Sequence, residues 1–372
     1  MFSSGKLHVV PNIKEAIGSQ DLSKLEPVEL ETPDFKWPNF AKTVPQDVFD
    51  QRVIVVPDGF IPPGKGNGGI YLTVIDGSDV TKTVKTVTMT HNRQGYFYHM
   101  GFWIDLNGDG RKDFLTAKCN TKAGEGKLVW YEHPADGLDS QDHWNEHVIA
   151  TGPDVGIEAD FLEQYPGEVV VFAAQFFDEK LGVYRVSLTD GSLVDSHIID
   201  DTTLHAYSAQ LIDLNGDGRK ELVVNNHEKD SKVNGIWAYT VPEDLITGTY
   251  DKYPITTGFK NAFSLTVPNM SPGFPYAIWP KKTDEGSERA HIMIAGDGDH
   301  SVSMAYPTGS ADNFEYERAV IKNEGGTVGA LAFSDLDNNN WQEMWVPNYD
   351  KSYIEVFMFR GILAEENTLF LQ

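Results

Sequence analysis

Three segments of the chain place oxygen-bearing side chains at one fixed spacing that suits a hard cation. Asp105, Asn107, Asp109 and Asp113 stand at positions 1, 3, 5 and 9 of the first segment. Asp213, Asn215, Asp217 and Glu221 repeat the pattern, and Asp335, Asp337, Asn339 and Glu343 repeat it again. Carboxylate and amide oxygens so placed converge on a cation, and position 7 (Arg111, Arg219, Trp341) adds a backbone carbonyl. An oxygen-only set selects calcium over zinc or copper. The first two segments have the glycines that permit a tight turn. The third has lost them, so a metal-free polar turn is a reading open to it alone.

Other catalytic signatures are missing. The chain has no Gly-x-Ser-x-Gly elbow, no phosphate-binding glycine loop set between a strand and a helix, and no His-Glu-x-x-His. No organic cofactor is implied. His133, His143 and His147 fall on outer strands and suit surface or packing roles. His99 and His205 differ, because each directly precedes or opens a strand that leads into an acidic segment. Histidine titrates near neutrality, so either could move a proton.

Each acidic segment joins one short apolar run to another, rich in β-branched and aromatic residues. That context is strand–loop–strand, whereas a helix–loop–helix calcium site needs helices on both sides. The surrounding chain repeats a four-strand grammar, clearest at 98–104, 113–118, 127–132 and 144–150. Further copies fall at 157–199, 208–256 and 261–321, the last beginning with a strand at 261–267. A final copy from Val328 lacks its fourth strand, and a degenerate one covers 52–89. Such spacing predicts an all-β, six-bladed β-propeller forming one domain over 1–372. Residues 6–11 are expected to supply the missing strand and remove an open edge. A seventh blade in residues 12–50 is the cramped alternative.

The Asp-Leu-Asn-Gly-Asp-Gly loops resemble the FG-GAP/VCBS repeats of integrin-type and fungal propellers. The runs 128–134 (Leu-Val-Trp-Tyr-Glu-His-Pro) and 143–149 (His-Trp-Asn-Glu-His-Val-Ile) resemble the propeller part of fungal aldos-2-ulose dehydratases. In size and expected blade number the chain is also similar to small fungal hetero-Diels–Alderases of tropolone–sesquiterpene secondary metabolism.

In a propeller, the strand ends opposite the acidic loops ring the mouth of a channel where ligands usually bind. Those ends supply Tyr98, His99, Glu158, His205 and Tyr207 as candidate catalytic groups. Lys118, Gln175, Asn226, Lys260, Asn261, Asp297 and Asn348 are candidate binding groups, with Trp279 as an apolar wall. Three function classes follow. The first is a pericyclase, in which dehydration to a quinone methide precedes cycloaddition with a terpene. The second is a carbohydrate lyase or dehydratase that takes a proton next to a carbonyl. The third is a lectin-like module. The aromatic content and the absent export signal put the pericyclase first.

Composition narrows the partners. With 55 acidic and 30 basic residues, the formal charge is -25. Phosphate backbones and anionic membrane surfaces are repelled, which leaves a small apolar, aromatic or sugar ligand. No apolar run reaches the ~20 residues of a membrane helix, and the first 21 residues lack the apolar centre of a secretory signal. The expected location is cytoplasmic, or extracellular if a leader was removed. Cys119 is the sole cysteine, so no internal disulfide forms.

Overall fold

The computed structural model describes residues 5–19, 21, 22, 25–60, 66–91, 95–140, 143–261, 270–323 and 325–360, and the backbone of 363–370. It is a six-bladed β-propeller of four-stranded antiparallel sheets. The chain divides into two compact units, 1–11 with 27–202 and 12–26 with 203–372.

The first unit opens with a two-stranded ribbon, β1 (His8–Val9) against β2 (Val28–Glu29). Its first sheet is β3 (Lys42–Thr43), β4 (Arg52–Pro57), β5 (Ile70–Ile75) and β6 (Thr83–Thr88). The second is β7 (Phe97–Ile104), β8 (Asp113–Cys119), β9 (Lys127–Glu132) and β10 (Asn145–Thr151). The third is β11 (Gly156–Asp160), β12 (Glu168–Gln175), β13 (Lys180–Ser187) and β14 (Leu193–Asp200). Middle strands are buried on both faces, and the two-residue period sorts their side chains between layers. On β8, Phe114 joins Val55, Leu72 and Trp144 in the layer shared with the first sheet. Its neighbours Leu115 and Ala117 join Ile157, Val169 and Val171 in the layer shared with the third.

The second unit repeats this plan. Its sheets are β15 (Ala206–Ile212), β16 (Glu221–Asn226), β17 (Gly235–Thr240) and β18 (Lys252–Thr257), then β19 (Pro275–Ile278), β20 (His291–Ala295), β21 (Ser301–Pro307) and β22 (Tyr316–Asn323). The last is β23 (Ala332–Ser334), β24 (Glu343–Asn348), β25 (Tyr353–Arg360) and β26 (Leu363–Phe370). On β20, Ile292 and Ile294 face Val223 and Ile236, while Met293 and Ala295 face Met344 and Val346. Among the described residues no helix is long and apolar enough to cross a membrane.

Three expectations need correction. The last sheet does not borrow residues 6–11, because β26 fills its fourth position in register with β25. A hairpin between neighbouring segments closes a far shorter loop than pairing the two chain ends. The N-terminal strand instead pairs with β2, and Leu7 packs with Leu30, Phe35, Val56 and Tyr71. Residues 12–50 contain β3, the first strand of the first sheet, rather than a seventh blade. The first strand of the fifth sheet is β19, and of the expected strand at 261–267, residues 262–267 lie outside the described ones.

The N-terminal region does reach the last sheet, but as a helix. The apolar side of α1 (Ile13–Ser19), with Ala16 and Ile17, packs with Leu22 on Val356 and Met358 of β25. Ile17 is almost fully buried there, so Ile17→Ala should destabilise the protein by about 2–4 kcal/mol. Denaturant unfolding measures this, and an unchanged midpoint would show that the helix does not brace the sheet.

Candidate functional site

The three acidic loops join first to second strands, as the sequence pattern requires. In the loop from β7 to β8, Asp105 accepts the amides of Gly108 and Gly110 at 2.8 and 2.9 Å. Asp113 is fully buried and accepts from Leu106 N and His133 N, both at 2.9 Å. Burial, with Asp109 and Asp105 adding, raises its pKa to about 6. The loop from β15 to β16 is a copy, with Asp213 on Gly216 and Gly218, and Glu221 on Leu214 N at 3.0 Å. Burial, with Asp217 and Asp213 adding, raises the Glu221 pKa to about 7.

In the third loop Asn338 and Asn340 adopt φ of 59° and 70°, matching Gly108 and Gly110 at 73° and 85°. Asparagine tolerates the left-handed region better than other non-glycine residues, so the turn survives without glycine. Asp335, Asp337 and Glu343 offer oxygens that all lie within 4.8 Å of one another. Among the described residues it is this loop, the weaker candidate by sequence, that gathers three carboxylates. The donor sets fit a hard cation. Basic groups stand at each loop: Arg111 pairs with Asp109, Arg219 with Asp217 at 3.0 Å, and Lys282 lies 3.7 Å from Asp335.

At the opposite strand ends of the first unit, most candidate groups are engaged internally. Tyr98 Oη lies 3.0 Å from Tyr131 Oη, which donates to Glu146 at 2.7 Å, and Lys118 pairs with the same carboxylate. Burial pushes the Tyr98 hydroxyl well above its usual range. His99 is buried edge-on between Phe60 and Phe97, and burial lowers its pKa to about 4. It stays neutral near pH 7. Gln175 donates to Tyr184 Oη at 2.8 Å, and Glu158 is partly buried on β11. Asp154 accepts the amides of Phe176 and Phe177 at 2.7 and 2.8 Å.

The second unit assembles a denser constellation. Ala206 pairs with Asn226 and Ser208 with Asn225, so Tyr207 is the extra residue of a bulge. A bulge re-aims its side chain, and the Tyr207 ring stacks on His227 at 4.6 Å and lies 4.7 Å from Phe274. His227 Nδ1 faces Pro272 O at 2.9 Å. A carbonyl can only accept, so Nδ1 carries a hydrogen. His227 Nε2 then lies 3.4 Å from Asp297 Oδ2, with side chains 12% and 21% exposed, so both stay reachable. Burial pushes the Asp297 carboxyl up, while His227 and His300 pull it down. Asp297 and His300 both hold positive φ, 50° and 59°, and His300 Nε2 is buried without a partner. Strained backbone of this kind persists where surrounding structure holds it. His205 Nδ1 meets Glu228 Oε1 at 2.5 Å.

Asn225 ties these groups together. It accepts from Ser208 N and Oγ and donates to the carbonyls of Pro272 and Gly273, both at 3.0 Å. Asn261 donates to the carbonyls of Glu228 and Lys229 and accepts from Ser271 Oγ. Asn226 is fixed by Gly235 N and Val233 O, and Asn348 accepts from Lys351 N. Lys260 is exposed.

His205, Tyr207, Asn261 and Asp297 thus share one end of the unit, but His227, Glu228 and His300 escaped the sequence reading. Asn226 ends β16, and His227 and Glu228 lie one and two positions further on. Trp279 is misplaced by that reading. It follows β19 at the acidic-loop end, where Nε1 donates to Glu288 O and its carbonyl accepts from Gln342.

No family model matches the chain, and no curated protein is similar to it in sequence. Solved structures share its fold. A periplasmic gluconolactonase of Pseudomonas aeruginosa aligns over 99% of this chain and 93% of its own, with 14% identity and a TM-score of 0.56. A Bacteroides uniformis protein assigned as a 6-phosphogluconolactonase aligns over 93% and 89%, with 12% identity and a TM-score of 0.54. The Dos1 propeller aligns over 82% of this chain with 11% identity and a TM-score of 0.46, and the chain spans 64% of that structure. Identities this low speak for the fold alone.

Asn225→Leu removes every hydrogen bond of that amide and takes their acceptor or donor from Ser208 N, Ser208 Oγ and Gly273 O, so it should destabilise the protein by at least about 2 kcal/mol. It should also free the His227 ring to change tautomer, which nitrogen-15 NMR of the imidazole reads directly. Unaltered stability together with an unaltered tautomer would show that Asn225 positions nothing.

Proposed function

We propose that the chain is an enzyme that acts on a small, sugar-derived carbonyl compound by general acid–base chemistry at His227 and Asp297, on a propeller stabilised by calcium. The observation that carries this reading is the pair itself. One ring nitrogen is committed to a carbonyl, and the other faces a carboxyl that burial disposes to hold a proton. With that proton on Asp297, the Nε2 lone pair is free. The ring can then take a proton from the carbon next to a substrate carbonyl. Asp297 gives its proton to the departing hydroxyl as the C–O bond breaks, and water leaves. Transfer of the new proton from His227 to Asp297 restores the starting state. His205 and Glu228 form a second hydrogen-bonded pair beside that pair, where His227 N donates to His205 O. The Tyr207 hydroxyl, held protonated by burial, suits a hydrogen bond to the substrate carbonyl. The sugar-lactone names of two fold neighbours belong to the same substrate class.

A row of aromatic rings favours a second reading, the cycloaddition of a dehydrated tropolone with a terpene. Tyr207, Phe274, Tyr276 and Phe333 follow one another at centroid distances of 4.7, 6.4 and 5.5 Å. Trp279 cannot serve as its apolar wall from the other end of the sheet.

The loops beginning at Asp105, Asp213 and Asp335 would each hold calcium through side-chain oxygens and the position-7 carbonyls of Arg111, Arg219 and Trp341. The ion supplies positive charge to buried acids and takes no part in the proposed proton transfers.

Two outcomes are expected. Turnover assays with aldos-2-uloses, uronate oligosaccharides, aldonolactones, and a hydroxymethyl-tropolone with a polyene should reveal one reaction. There His227→Ala and Asp297→Asn should each slow turnover by ~100- to 10,000-fold while the fold stays intact. Full activity in both variants would move the site elsewhere. Calcium at 100 times its dissociation constant should add about 2.7 kcal/mol of stability per site, read as a rise in melting temperature that chelation reverses. Metal analysis that finds no calcium, with no thermal shift, would remove the metal from the account.

A further inference from the structure

A pocket lies at the acidic-loop end of the fifth sheet, where β19 connects to β20. In the second, fourth and last sheets the corresponding connection is an acidic loop, but here residues from Trp279 to His291 line a cavity of about 460 Å³. Trp279, Pro280 and Pro307 give it an apolar wall. Arg289 and His291, two positions apart on an extended segment, line it together.

Among the described residues no acidic side chain forms an ion pair with Arg289. Its Nη1 and Nη2 donate to the carbonyls of Thr308 and Glu315 at 2.8 and 3.0 Å, and its guanidinium lies 5.0 Å from the Tyr316 ring. Nε is buried without an acceptor, and so is His291 Nδ1 without a partner. Arginine cannot lose its proton, and a half-buried cation answered by carbonyl dipoles and an aromatic ring rather than by a carboxylate favours an incoming anion. Asp284 and the exposed Glu288 also line the pocket and form no ion pair with Arg289 among the described residues. They can accept hydrogen bonds from hydroxyl groups. One anionic group, several hydroxyls and an apolar face together describe a small molecule that a cavity of this size can hold.

We propose that this pocket binds a small polyhydroxylated carboxylate, with its carboxylate directed to Arg289 and its hydroxyls to Asp284 and Glu288. The site is separate from His227 and Asp297. Asp297 lies beyond the far end of β20, roughly 15–20 Å along the strand from His291, so the pocket serves as a second binding site whatever reaction the other end performs.

The probe is D-gluconate, titrated into the full chain with D-glucose and acetate as controls. In nitrogen-15 correlation spectra, gluconate should shift the Trp279 indole signal, whose N–H is anchored at this pocket by Glu288 O. Calorimetry should place glucose and acetate at least ten-fold weaker, and Arg289→Gln should weaken gluconate ten-fold or more. Gluconate that leaves the Trp279 signal in place overturns the proposal, and this measurement needs no variant to fold. Equal binding of acetate overturns the hydroxyl contacts, equal binding of glucose overturns the role of Arg289, and so does a folded Arg289→Gln variant that binds as before.

Discussion

Burial on both faces of every middle strand is the constraint on which the rest depends. On β8 and β20 alternate side chains enter two different apolar layers, so neither sheet has a face left for solvent. A strand in that position can display chemistry only where it ends. Polar function is therefore confined to the connections, and each unit presents two sets of them, one at each end of its strands.

At one end the connections are acidic loops, and their central feature is a carboxylate drawn into the core. Asp113, Glu221 and Glu343 are buried and each accepts a backbone amide from the loop it closes. Burial lifts all three away from ordinary carboxylate behaviour. Nearby acids sharpen the effect, and the protein meets it with Arg111, Arg219 and Lys282. A cation at the loop would act on the same imbalance from the inside.

At the other end the same packing produces opposite results in different sheets. Tyr98, Lys118 and Gln175 turn their polar atoms onto neighbours within the first unit, where they hold strands together. In the second unit a bulge at Tyr207, left-handed turns at Asp297 and His300, and the amide of Asn225 direct titratable groups toward one another. Backbone irregularity alone is not the difference, since the first unit has a register shift between Tyr98 and Gly101 and positive φ at Thr121 and Glu179. What differs is which side chains are turned together: in the second unit His227 meets Asp297, and His300 Nε2 is left without a partner.

By itself the sequence determined the all-β repeat, the six blades and the position of the acidic loops. These are local patterns, written in alternating apolar residues and in fixed spacing, and strand runs such as 127–132 and 235–240 coincide with β9 and β17. The fourth strand of the last sheet was not legible, because 363–370 reads Leu-Ala-Glu-Glu-Asn-Thr-Leu-Phe and pairs for reasons of chain proximity. The third loop was legible from its oxygen-bearing positions, but not that Asn338 and Asn340 make its left-handed turn, since left-handed asparagine cannot be told from any other asparagine without φ. Only the tertiary structure brought His227 to Asp297, 70 positions apart in the chain. It also sent Trp279 to the far end of its sheet, because the first strand there starts at Pro275, and a strand's start decides which end its neighbours reach.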